Sequence, residues 1–158
     1  MEQTQIGLLT ANILKQQKLI ETIYGHIAAR KKGYTKDRAV LESLAYQLHN
    51  LYCAFEDLFR IVANYFENHI DDQPGWHKEL LGRMTLEIKS IRPRFVSENA
   101  YVFLNELRSF RHVFRHAYGI ELEVEKIKLV LKKALALKKI YQKDIAYFLA
   151  QLKPTTKK

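Results

Sequence analysis

Apolar residues recur at helical spacing over long stretches of this chain, and few glycines or prolines interrupt them. Between residues 36 and 70, Leu41, Leu48, Phe55 and Val62 recur every seven positions, and Leu44, Leu51, Leu58 and Tyr65 do the same. Ala45, Tyr52, Phe59 and Phe66 widen that face. A seam this broad predicts a long helix with other helices packed on it. Residues 4–31 predict another helix, since Ile6, Leu9, Ile13, Ile20, Ile23 and Ile27 keep helical spacing and Lys31-Lys32-Gly33 supplies bases and a glycine at the end. Gln16 and Gln17 break this stripe, which suits it to a partner rather than a dry core.

Asp71-Asp72-Gln73-Pro74-Gly75 has the composition of a turn. A shorter helix is expected from Trp76 to about Ser90, with Leu80, Leu81, Met84 and Ile88 inward, broken by Arg92-Pro93-Arg94. Ser97 is the expected N-cap of the next helix, with Glu98 in its first turn. That helix should run to Tyr118 and stop at a left-handed Gly119. A final helix is expected from Glu121 to Leu152. Ile127, Ala134, Tyr141 and Phe148 form its inner row, Leu131, Ile145 and Leu152 support it, and Glu121, Glu123 and Glu125 suit its dipole. No segment alternates as a strand does. The expectation is an all-α, antiparallel bundle of four to five helices in one domain over residues 1–153, with 154–158 a flexible basic tail.

Composition narrows the function. The 158 residues suffice for one core. The single Cys53 excludes an internal disulfide and a multi-cysteine zinc site, and its apolar neighbours predict a buried, inert thiol. No apolar run has the length of a membrane span, and the first residues lack the pattern of a signal peptide, so a cytoplasmic protein is expected. The net charge of +9 favours an anionic partner. Lysines of the last helix read as a solvated face, whereas Arg83, Arg92, Arg94, Arg108, Arg111 and Arg115 focus charge near residues 108–119.

On a helical wheel Ala100, Phe103, Leu107, Phe110, Phe114 and Ala117 make an apolar stripe, flanked by Arg108, Arg111, His112 and Arg115. Like charges at such spacing repel, and a phosphate would relieve them. His112 and His116 have a spacing that can share zinc, but Val113 stands where a metalloprotease has glutamate, and two arginines surround them; neither metal nor cofactor is expected. The better fit is RNA cleavage by the 2′-hydroxyl, with His116 as acid/base and Arg111 stabilising the phosphorane. Arg108, His112 and Arg115 are candidates for RNA binding or support of the site, against the plainer reading of solvated charge. Arg111 and His116 stand roughly 140° apart on an ideal helix. Either the helix end is distorted or two copies of the motif meet across a dimer. Trp76 reads as a core anchor, and Tyr52 and Glu56 either reach the site or pack.

The string Arg111-x4-His116-x-Tyr118 resembles the signature of HepT-type toxins in the HEPN superfamily. Trp76-His77-Lys78-Glu79-Leu80-Leu81, Ile91-Arg92-Pro93 and Phe110-Arg111-His112-Val113-Phe114-Arg115-His116 follow in an order similar to a HepT-like subfamily. The resemblance begins near residue 40. It implies a HEPN-type bundle acting as a homodimer with a composite site. It further implies a metal-independent endoribonuclease cutting RNA such as tRNA or mRNA, as the toxin of a type VII-like toxin–antitoxin system. The implied partner is a nucleotidyltransferase antitoxin of the MntA type, which attaches AMP to Tyr118 and can join the toxin in a larger hetero-oligomer. Without the resemblance, Tyr118 reads as a helix-end tyrosine that packs with its hydroxyl wet. The alternative is a non-catalytic HEPN-like module that binds RNA or a nucleotidyltransferase. A basic scaffold or membrane-surface protein is a third reading, disfavoured because the charge is focused around a histidine.

Overall fold

The computed structural model describes residues 3–67, 74–119 and 121–152. They form α1 (Gln3–Arg30), α2 (Arg38–Glu67), α3 (Trp76–Met84), α4 (Glu98–Arg115), α5 (Val124–Lys138) and α6 (Tyr141–Leu152). The architecture is all-α. The only bridge among the described residues is an isolated one between Ile88 and Arg92. None of the described helices is long and apolar enough to cross a membrane.

The seam on α2 is the axis of the core. Leu44, Leu48, Leu51, Tyr52, Phe55, Leu58, Phe59 and Val62 are all buried, and α1, α3, α4 and α5 lie against this helix. Helix α1 contributes Leu9, Ile13, Ile20, Tyr24 and Ile27. The break at Gln16 is not a partner-facing gap, because Gln16 Nε2 donates to the carbonyl of Ala54 on α2 at 2.9 Å. The Tyr24 hydroxyl donates to the carbonyl of Ala134 on α5 at 2.8 Å, and its ring stacks on Tyr141.

Helix α3 ends at Met84, short of Ser90. The Met84 carbonyl accepts from the backbone N–H of Phe95 and of Val96 at 2.8 and 2.9 Å, so the returning chain occupies the acceptor that a further turn would use. The link folds back at Ser90, whose φ of 67° is left-handed. Ser97 caps α4 as expected, accepting from Ala100 N–H, while the buried carboxylate of Asp144 accepts from Ser97 N–H at 2.9 Å and its hydroxyl at 2.8 Å. This ties the start of α4 to α6.

Two further boundaries differ from expectation. The last helix is broken after Lys138, and Ile140 N–H turns back to the Leu137 carbonyl at 2.9 Å. The break swings Tyr141 edge-on to Phe55 and Phe148 edge-on to Phe95. The fifth expected helix is thus two helices. Helix α4 stops at Arg115 rather than Tyr118, and the left-handed glycines are Gly33 and Gly75, not Gly119. The tail 154–158 and the turn residues Asp71, Asp72 and Gln73 lie outside the described residues.

Candidate active site

A cavity of about 430 Å³ opens between the start of α3 and the end of α4. Gly75, His77 and Lys78 form one wall; Arg108, Arg111, His112, Arg115 and His116 form the other. Gly75, at φ 86°, takes the left-handed turn into α3 that a side chain would resist. Four cations and three histidines line the space, and among the described residues no carboxylate does.

Arg111 and His116 line the same cavity within one chain. His116 sits in the C-cap position with φ −108° and ψ 12°, so the helical wheel no longer sets its direction. The helix end thus departs from ideality, which is one of the two geometric alternatives for this pair. The imidazoles of His112 and His116 meet edge-on at 5.0 Å between centroids. Arg108 is braced by Asn105, whose Oδ1 accepts from its Nε and Nη2 at 3.2 and 3.0 Å.

Behind Arg111 lies a polar strand of contacts rooted on α2. Arg111 Nε donates to Cys53 Sγ at 3.4 Å, and His49 Nε2 stands 3.8 Å from the same sulfur. Cys53 is therefore half-buried and in contact with the site, not the sequestered thiol expected. Burial lowers the pKa of His49, and the nearby charges of Arg111 and Arg115 push the same way against the Asn50 hydrogen bond. The Tyr52 hydroxyl is buried and has no hydrogen-bond partner among the described residues. Burial raises its pKa, as does the Glu56 carboxylate, while Arg108 and Arg111 oppose the shift.

Glu56 reaches the site through a partner. Its buried carboxylate Oε2 lies 2.7 Å from His77 Nδ1. Sequence alone left Glu56 open between site and packing, and placed His77 and Lys78 in the family-matching block without giving either a role. The available signal was an acid between Phe55 and Leu58 in an apolar seam, where burial demands a partner. Trp76 is a half-buried anchor with the Arg60 guanidinium 4.1 Å above its ring.

Three arginines expected near the cavity are committed elsewhere. Arg83 and Arg92 pair with Glu67, and Arg94 lies 3.6 Å from Asp144 and over the Tyr147 ring. Tyr118 is 92% exposed and borders a different groove, with Phe114, Ala117, Leu122, Arg38 and Glu42. Because α4 has ended, Tyr118 does not share a helix face with Arg111. Among the described residues no group of three or more His, Cys, Asp or Glu is placed to hold a metal ion.

A family model described as HepT-like protein matches residues 43–152, from the first turns of α2 to the end of α6. No curated protein and no solved structure matches the chain.

Proposed function

The chain belongs to the HepT-like family, and from that premise we propose that it is a toxin of the HEPN superfamily that cleaves RNA without a metal. The observation that carries this reading is the meeting of Arg111 and His116 in one cation-lined cavity. Arg108, Arg115 and Lys78 supply charge for neighbouring phosphates, and His112 supports His116 through ring contact. Arg111 spends its Nε on Cys53, which holds the guanidinium in place and leaves its Nη groups for a phosphorane oxygen. His116 moves a proton during attack of the 2′-hydroxyl on phosphorus. The products are a 2′,3′-cyclic phosphate and a 5′-hydroxyl.

Tyr118 is the proposed acceptor of AMP from a nucleotidyltransferase antitoxin of the MntA type. Its exposure of 92% gives a partner enzyme access to the hydroxyl. It borders the neighbouring groove two residues after His116, so the added negative charge would sit beside the cationic end of α4. The proposal includes a cytoplasmic homodimer that joins its antitoxin in a larger complex.

The test is cleavage of tRNA and mRNA in EDTA by the purified protein, beside His116→Ala and Arg111→Ala. Each variant is expected to lose about 100-fold or more. Equal inertness of all three, with salt-sensitive RNA binding intact, would replace this reading by the non-catalytic module.

A further inference from the structure

Cleavage by a 2′-hydroxyl requires two proton transfers. One group removes the proton from O2′, and another protonates O5′ as it leaves. In-line displacement puts these groups on opposite sides of phosphorus. The helix α4 wall supplies His116, and the facing wall supplies His77.

His77 is held differently from the other two histidines of the cavity. Its Nδ1 is 2.7 Å from Glu56 Oε2, and the Glu56 side chain is 7% exposed while that of His77 is 28% exposed. A buried carboxylate accepting from Nδ1–H fixes the tautomer and leaves Nε2 as the acceptor. The same carboxylate compensates the positive charge that the ring gains on taking a proton. Among the described residues, the charged and titratable groups across the cavity are Arg108, Arg111, His112, Arg115 and His116 on α4; Lys78 lies on the helix of His77 itself, and Glu56 is the acid behind it. His116 thus stands on the wall that carries three arginines, whereas His77 has a buried carboxylate bonded to its Nδ1 and its Nε2 left to accept.

We infer that His77 is a second catalytic residue, the general base that activates the 2′-hydroxyl, with Glu56 as its positioning residue and His116 as the general acid. This rests on the nuclease reading above. In the step, His77 Nε2 takes the O2′ proton and the O2′–P bond forms. The P–O5′ bond breaks and His116 delivers a proton to O5′. One proton is gained and one released by the pair, so no further reactant is needed.

The test is the pH dependence of kcat/KM for wild type, His77→Asn, Glu56→Gln and His116→Asn, on ordinary RNA and on RNA with a sulfur in place of the scissile O5′. The wild-type profile is expected to be bell-shaped. His77→Asn should lose about 100-fold or more and its acidic limb, on both substrates. His116→Asn should lose the alkaline limb and recover on the sulfur substrate, whose leaving group needs no acid. Glu56→Gln, which keeps the side-chain shape, should lose about tenfold or more and shift the acidic limb. A wild type with a single limb, or an active His77→Asn that keeps both limbs, overturns the two-histidine assignment and leaves the nuclease reading standing. A merely structural His77 would lower the whole curve without removing a limb. Absence of cleavage by wild type overturns both readings. If His77→Asn does not fold, the wild-type profile and Glu56→Gln decide the matter.

Discussion

Arg92 closes on Glu67 with its own side chain wholly buried, Nε and Nη2 donating to Glu67 Oε1 at 3.0 and 2.7 Å. Its remaining donors reach the carbonyls of Leu86, Pro93 and Arg83 at 3.0 to 3.2 Å. One guanidinium thus pins the end of α2 to the segment that returns from α3 to α4. Arg92→Ala should cost about 3–5 kcal/mol of stability, because it strands buried acceptors and half of an ion pair. Arg83→Ala should cost about 1 kcal/mol or less, since that pair is partly exposed and Glu67 keeps Arg92. Urea unfolding of both variants measures the difference; equal losses would show that the Arg92 contacts are not what holds this link.

Acid should destabilise the fold through His49. Burial, aided by Arg111 and Arg115, lowers its pKa in the folded state. Below about pH 6.5 the unfolded chain therefore binds a proton that the folded chain resists. The contribution is fully present above that pH and is lost as pH falls beneath it. The thermal midpoint should drop between pH 7.5 and 5.5, and His49→Gln should drop less. Parallel declines in the two proteins would locate the acid sensitivity elsewhere.

Much of this fold is legible in the pattern of apolar residues, because the α2 seam repeats every seven positions and Ser97 is a strong cap. The break between α5 and α6 is not, since Lys138-Lys139-Ile140 contains neither glycine nor proline. It follows from tertiary packing of Tyr141 and Phe148 against Phe55, Phe66 and Phe95. The end of α3 is set in the same way by Phe95 and Val96, eleven and twelve residues beyond Met84. At the site, Arg111 and His116 are conspicuous because they share one short string. Glu56 and His77 are 21 residues apart and become a pair only where α2 and α3 cross. Arginine composition misleads for a related reason: Arg92 and Arg111 look alike in sequence, yet one is a buried brace and the other faces the cavity.

If Tyr118 is the AMP acceptor, Tyr118→Phe should still cleave RNA but should gain no mass when incubated with ATP, magnesium and the cognate nucleotidyltransferase. Wild type should gain one adenylate. The tyrosine lies outside the His77–His116 cavity and buries almost none of its ring, so the substitution removes little beyond the hydroxyl. Modification of Tyr118→Phe to the wild-type extent would sink the assignment. Loss of cleavage in the variant before any modification would instead place the hydroxyl in RNA binding.

The cation-lined wall should be readable in the salt dependence of RNA binding. Each phosphate neutralised on a single strand contributes about 0.7 to the slope of log K against log salt. Arg115 is exposed on α4 and lines the cavity, so Arg115→Ala should flatten the slope by about that amount and weaken binding to every sequence alike. Lys128 is exposed on α5 and is not among the residues lining the cavity, so Lys128→Ala removes the same unit of charge without removing a contact. Its slope should match wild type at moderate salt, where screening within about 10 Å hides distant charge. Equal flattening in both variants would mean that RNA is attracted by the net charge of +9 rather than held at this wall. An unchanged slope in Arg115→Ala alone would remove this residue from the RNA path and leave Arg108, Arg111 and Lys78 as the cavity's phosphate contacts.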